Sequence, residues 1–175
     1  LLKALEMRSL LASLAILLLP QVYSSAEAAP LGWTTIEKAD KVLVVKSERR
    51  LYLLHDSRVV GSFRVALGPN PVGHKIFQGD GRTPEGIYVL DWRNENSRFH
   101  RSINISYPNY DDATRSASFG VSPGGNIMIH GQPIDGFNGM NPSYDWTEGC
   151  IALSNAEMDE VWAAVDDGTL IEILP

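Results

Sequence analysis

Two residues of this 175-residue chain have types and surroundings suited to covalent chemistry. Cys150, its only cysteine, directly follows Gly149, and His130 ends the apolar run Ile127, Met128, Ile129. A thiolate is the attacking form of cysteine, and a nearby imidazole can generate it near neutral pH. The pairing therefore suggests a nucleophile and its general base. Gly149 permits close approach of a substrate, and the N–H groups of Gly149 and Cys150 could face a developing oxyanion, as acyl transfer requires. The competing interpretation is an inert, buried core cysteine with a surface histidine at a strand end. His55, His74 and His100 lack comparable context and read as solvated, and their spacing suggests no metal site.

These residues need elements to hold them. Lys41 to Lys46, Leu51 to His55 and Val59 to Leu67 read as three closely spaced strands, an antiparallel meander. Gly68-Pro69-Asn70-Pro71 breaks the pattern, and Gly79 to Gly86 reads as a loop; it lacks the G-K-[ST] and following helix of a nucleotide loop. Gly86 to Trp92 alternates as a buried strand, whereas Asn94 to Asp112 is polar with aromatic insertions. Ser154-x-x-Glu157 is a capping box with Leu153 and Met158 as a hydrophobic staple. Met158, Val161, Trp162 and Val165 then form one apolar face, and Gly168 is expected to close this helix with a left-handed cap. Leu170 to Leu174 reads as a final strand. The expected fold is mainly β, with one α-helix near the C-terminus.

A hydrophobic content of 44% in a chain of this length suits one domain. The net charge of -6 argues against nucleic acid as a partner. A basic Met7-Arg8, an apolar run Leu10 to Leu19 and Ala26-Glu27-Ala28 have the form of a secretory signal peptide. The expected organisation is a signal peptide over 1–29 and a catalytic domain over 30–175, exported to the periplasm or cell envelope. The alternative for the N-terminus is a retained anchor, although the run falls short of the ~20 residues that span a bilayer.

His130-Gly131, a loop, and Thr147-Glu148-Gly149-Cys150 together resemble the signature of the YkuD-type L,D-transpeptidases of bacterial cell walls. Gly79-Asp80-Gly81-Arg82-Thr83-Pro84-Glu85-Gly86 and Lys46-Ser47-Glu48-Arg49-Arg50-Leu51-Tyr52-Leu53 also resemble segments of that family, and the similarity runs over about residues 40–175. The chain departs from it at Glu148, where the family usually has histidine, and at Ala152, where it usually has arginine. The resemblance implies a sandwich or half-barrel and a peptidoglycan L,D-transpeptidase. In it, Cys150 forms a thioester with a stem peptide at diaminopimelate and an amine acceptor resolves it. It further implies that His130 is the base, that the Gly131 carbonyl orients the imidazole, and that no metal or organic cofactor takes part. The same resemblance implies that the Tyr107-Pro108-Asn109 step lines the cleft; a turn with its aromatic packed on the core is the other interpretation. Three roles are open to Glu148: repelling the thiolate, holding His130 as an imidazolium, or facing away. Tyr144, Asp145 and Trp146 could replace the missing arginine in binding substrate. The implied partners are stem peptides, with a wall-attached protein as a further acceptor, and the expected state is a monomer. Two other outcomes of the same site are a peptidase, in which water resolves the thioester, and an inactive wall-binding protein.

Overall fold

The computed structural model describes residues 37–175, so the expected signal peptide lies outside the described residues. Three strands open the domain: β1 (Lys41–Val45), β2 (Arg50–His55) and β3 (Arg58–Arg64). They pair as the expected antiparallel meander. The chain continues through β4 (Gly86–Ser97), β5 (His100–Ile105), helix α1 (Tyr110–Ser118), β6 (Met128–His130), β7 (Ile151–Ala152), α2 (Asn155–Ala164) and β8 (Leu170–Leu174). The strand order is β3-β2-β1-β8-β4-β5-β6-β7, with β1–β8 and β6–β7 parallel and the rest antiparallel. Ala66, just beyond β3, exchanges two backbone hydrogen bonds of 2.9 Å with Ala152 of β7, so the two ends of the order meet.

Period-two patterning builds this arrangement. Val42 and Val44, Leu51 and Leu53, Ile171 and Ile173, Ile129 and Ile151 all point into one core. Each such side chain contributes roughly 1.5–3 kcal/mol by leaving water. The twelve-residue β4 serves two neighbours: Gly86 to Val89 pair with β8, and Leu90 to Ser97 pair with β5 across register shifts.

The fold is mainly β as expected, but among the described residues it holds two α-helices rather than one. The end of β4, all of β5 and the first turn of α1 fall in the stretch Asn94 to Asp112, which reads as polar and irregular. α1 buries only Asp112 and Ser116, so no apolar stripe marks it. It is held instead by an Asn109–Asp112 capping box and by the Ser116 hydroxyl, which donates to the Ile76 carbonyl at 2.5 Å. The capping box of α2 is present and Leu153 and Met158 are both buried, but the helix stops at Ala164 and Gly168 does not cap it. The Arg93 guanidinium takes that role by donating to the Trp162 carbonyl at 2.7 Å and to the Val165 carbonyl. Gly168, at φ 92°, lies in the following turn and donates to Leu90 at 2.7 Å.

A buried ammonium braces the long loop between β3 and β4. Lys46 is 1% exposed, and its Nζ donates to the carbonyls of Gly73 (2.7 Å) and Thr83 (3.1 Å) and to Glu85 (2.8 Å). Burial lowers its pKa despite the Glu85 carboxylate. Lys46→Met should therefore leave Glu85 and two carbonyls unpaired and cost about 2–4 kcal/mol in urea unfolding. Adding Glu85→Gln should recover part of that loss. An unchanged unfolding midpoint in Lys46→Met would remove the brace from this account.

Candidate active site

The β6–β7 register brings the two reactive residues together. Ile129 pairs with Ile151 and His130 with Ala152. Continuing one step back sets Cys150 beside Met128, so Cys150 and His130 share a face as diagonal neighbours. Both line a cavity of about 620 Å3 with Phe99, Met128 and Trp146. Cys150 also lines a second cavity of about 560 Å3 with Lys75, Gly79, Gly124, Gly125 and Glu148. Cys150, Asn126 and Glu148 belong to both, so the two hollows meet at the thiol.

The turn that carries the thiol is tied by Thr147. Its hydroxyl donates to the Cys150 carbonyl at 2.8 Å and accepts the Gly149 N–H at 3.2 Å. Gly149 has φ 122°, and a Cβ there would lie 2.5 Å from the Arg82 carbonyl oxygen. Glycine is thus required twice over, by conformation and by the approach of the 79–86 loop. The expected pair of oxyanion donors is reduced by this turn, because Gly149 already gives its N–H to Thr147. Among the described residues no loop carbonyl or side chain is seen to accept the Cys150 N–H.

His130 is 4% exposed, and its Nδ1 lies 2.7 Å from the Gly131 carbonyl oxygen. That contact requires the Nδ1–H tautomer and leaves Nε2 with a free lone pair, the form a base needs. The imidazole is flanked by Phe99, with ring centroids 4.7 Å apart, and by Trp146 at 5.7 Å. Gly131 has no room for a side chain, since a Cβ would sit 2.7 Å from Asn155 Oδ1 and 2.9 Å from His100 Cβ.

Burial pushes the His130 pKa below the ordinary histidine range, with the Gly131 bond opposing. Burial pushes the Cys150 pKa up; the Met128 N–H and the Lys75 charge oppose this, and the Glu148 charge adds to it. Both shifts favour a neutral thiol and a neutral imidazole over a preformed ion pair. The thiol hydrogen rests toward the Asn126 carbonyl at 3.5 Å.

The other anticipated residues divide. Trp146 forms part of the cleft wall and packs on Phe137 at 5.4 Å. Glu148 is exposed at the junction of the cavities, and His130 has Gly131 rather than Glu148 as its polar partner. The structure shows no contact by which Glu148 would hold His130 as an imidazolium, and the Glu148 charge adds to the upward push on the Cys150 thiol. Asp145 is occupied: Arg49 Nη2 donates to it at 2.8 Å and the Leu67 N–H at 2.9 Å, so it ties the loop rather than waiting for substrate. Tyr107 is 5% exposed, with its hydroxyl donating to the Pro123 carbonyl at 3.2 Å; it packs in the core behind the cleft wall instead of lining it. His74 is not solvated either, since its Nε2 lies 3.0 Å from the buried Asp112.

Three further residues contribute, one of them inside a motif and two without a local signal. Asp80 accepts from the N–H groups of Ile76 (2.7 Å), Phe77 (3.1 Å) and Arg82 (3.1 Å) and from Lys75 Nζ (2.8 Å). Burial disfavours its charge, but Lys75 and these N–H groups prevail and lower its pKa. Asp80 organises the G-D-G-R turn, which explains that motif. Lys75 and Phe99 carry no signal in their local sequence, because only the fold brings them to the cleft.

Two outcomes follow for the thiol. Alkylation of Cys150 by iodoacetamide should reach half its plateau above the usual thiol value of about 8.5, and Glu148→Gln should move that midpoint down. A midpoint below 7 in the unaltered chain would contradict the neutral resting pair. Gly149→Ala should lower stability by about 2–3 kcal/mol in thermal unfolding, from strained backbone and the clash with Arg82.

Comparison with known proteins agrees with this geometry. A family model described as the YkuD L,D-transpeptidase catalytic domain matches residues 39–173. The YafK protein of Escherichia coli (strain K12), whose name assigns it provisionally to the L,D-transpeptidases, is 27% identical over 91% of this chain and 64% of its own. The crystal structure of the helical cell shape determining protein Pgp2 from Campylobacter jejuni is similar with a TM-score of 0.59 and 28% identity, over 76% of this chain and 46% of that one. Bdellovibrio bacteriovorus Bd1075 shares the fold at a TM-score of 0.53 and 20% identity, over 80% of this chain and 51% of its own. The chain thus spans less than two thirds of the length of these relatives. With the match covering nearly all of the described residues, the chain belongs to the YkuD family of L,D-transpeptidase catalytic domains.

Proposed function

We propose that this domain is a peptidoglycan L,D-transpeptidase working through a Cys150 thioester. The observation that carries this reading is the shared face of β6 and β7: a thiol stands where two cavities meet, and a histidine with a free Nε2 lines one of them. One cavity can seat the donor stem peptide and the other the acceptor. The Cys150 sulfur attacks the carbonyl carbon of a diaminopimelate residue while its proton passes to His130 Nε2. The oxyanion meets the Cys150 N–H. Collapse breaks the amide bond, and His130 returns the proton to the departing D-alanine amine. An amine of a second stem peptide then attacks the thioester, giving its proton to His130 and regenerating the thiol. An amide is broken and an amide is formed, so the exchange needs no cofactor to drive it.

A neutral resting pair suits this order of events. The proton moves during attack, so the thiol stays protected until a substrate fills the cleft. Phe99 and Trp146 beside the imidazole lower access of water, present at ~55 M, and bound reactants reach effective molarities of about 10⁵ M or more. This supports an amine acceptor over water. The apolar run and Ala26-Glu27-Ala28 near the N-terminus support export to the cell envelope, as a wall substrate requires.

Incubation with purified tetrapeptide muropeptides and mass spectrometry of the products tests the proposal. Crosslinked dimers linked through diaminopimelate are expected, and Cys150→Ser should abolish them. Trp146→Ala should raise the hydrolysed fraction roughly tenfold by admitting water. Shortened, uncrosslinked stems alone, even with acceptor in excess, would overturn the transferase reading in favour of a peptidase.

A further inference from the structure

The peptide bond between Gly131 and Gln132 is gripped at both ends. Its carbonyl oxygen accepts from His130 Nδ1 at 2.7 Å, and its N–H donates to Asn155 Oδ1 at 2.7 Å. One amide thus joins the imidazole at the end of β6 to a side chain of α2. Donation from an amide N–H draws charge onto the carbonyl oxygen and makes it a better acceptor. Asn155 therefore strengthens the bond that fixes the His130 tautomer. It is itself held in place as the first residue of α2, whose start is set by the Ser154–Glu157 capping box. A Cβ on Gly131 would lie 2.7 Å from Asn155 Oδ1, and one on Gly139 would lie 3.1 Å from Asn155 Nδ2, so both glycines make room for this side chain. The groups around the amide are also engaged. The His130 carbonyl accepts the Leu153 N–H at 2.9 Å, and the Gly131 N–H donates to the Arg101 carbonyl at 3.1 Å. Gln132 is fully buried, and its side-chain amide donates to the Leu153 carbonyl and to Asn141 Oδ1. The amide cannot turn without breaking several of these bonds together.

We infer that Asn155 is a positioning residue for the His130 imidazole and acts on it through the Gly131–Gln132 peptide bond. This rests on the acyl-transfer reading, and it adds what holds the base while the proton moves. When Nε2 takes the thiol proton, the ring gains a positive charge that burial disfavours and the Gly131 bond supports. His130 has no carboxylate partner among the described residues, so this amide is the group that answers the charge. An amide already polarised by Asn155 answers it better than a free one. Where a cysteine enzyme carries a Cys-His-Asn triad, the carboxamide touches the imidazole itself. Here a main-chain amide stands between the two and passes the effect on.

Proton and nitrogen NMR of the His130 ring in the full chain tests this, alongside turnover of tetrapeptide stems. In the unaltered chain the ring should hold the Nδ1–H tautomer, with that proton far downfield and slow to exchange. Asn155→Ala should move the Nδ1–H signal upfield, and should lower kcat about 10- to 100-fold with KM changed by no more than about twofold. Asn155→Asp keeps an acceptor in the same place and adds a negative charge. It should restore most of kcat and move the acidic limb of the kcat/KM profile to higher pH by about half a unit, since a nearby anion favours the imidazolium. A role confined to holding the helix start would lower the thermal midpoint of Asn155→Ala and leave the ring signals in place; that result overturns the inference. An unchanged kcat in Asn155→Ala, or an acidic limb that does not move in Asn155→Asp, overturns it as well. If the unaltered chain turns over no stem peptide, the acyl-transfer reading fails, and the ring signals still decide the role of Asn155.

Discussion

The site depends on a parallel pairing only two residues long. Ile129 with Ile151 and His130 with Ala152 set the register of β6 and β7, and a slip by one residue would turn the thiol and imidazole to opposite faces. So short a parallel pair has little stability of its own. Neighbours on both sides hold it: β5 pairs with β6, Ala66 clasps Ala152 through two backbone bonds, and the Leu153 N–H donates to the His130 carbonyl at 2.9 Å. Ile129 and Ile151 are fully buried, so a slip would also expose apolar surface. The reactive geometry is thus a by-product of core packing on the opposite face.

The cleft walls are irregular chain, and charged side chains position them in place of an apolar core. Lys46 ties the loop that ends in Gly86, Asp80 ties the turn within it, and Arg49 with Asp145 ties the loop before Cys150. Buried charges are costly, but Lys46 and Asp80 each meet several polar partners, and the half-buried Arg49–Asp145 pair adds one backbone bond from each side. The Lys46-to-Leu53 and Gly79-to-Gly86 segments stand out in the sequence for this reason. Their side chains act on the two walls of one cleft from a distance in the chain.

The strands around the core were readable from period-two patterning, and α2 from its cap and apolar stripe. The polar stretch after Trp92 was not, because β4 beyond that point faces solvent and the cleft, while α1 is held by a cap and polar contacts. Hydrophobic periodicity has nothing to report there. Cys150 and His130 were visible as a pair of types and as a family signature, as was the glycine at 149. Tyr107 and Asp145 misled because an aromatic or an acid near a site looks the same in sequence whether it faces substrate or structure. Lys75 was invisible, since its approach to the thiol depends on the path of a loop.

Burial of both members of the pair couples chemistry to substrate arrival. A neutral thiol beside a neutral imidazole reacts slowly with adventitious electrophiles, and a bound acyl group in line with Nε2 supplies what is missing. The central claim is that stem-peptide turnover passes through a covalent bond to Cys150. Acid-quenched intact-mass spectrometry of the chain during turnover measures this directly, followed by peptide mapping. An adduct equal to the donor stem without its terminal residue is expected, located on Cys150 and discharged by added amine. Turnover of stem peptides with Cys150 unmodified throughout would contradict it.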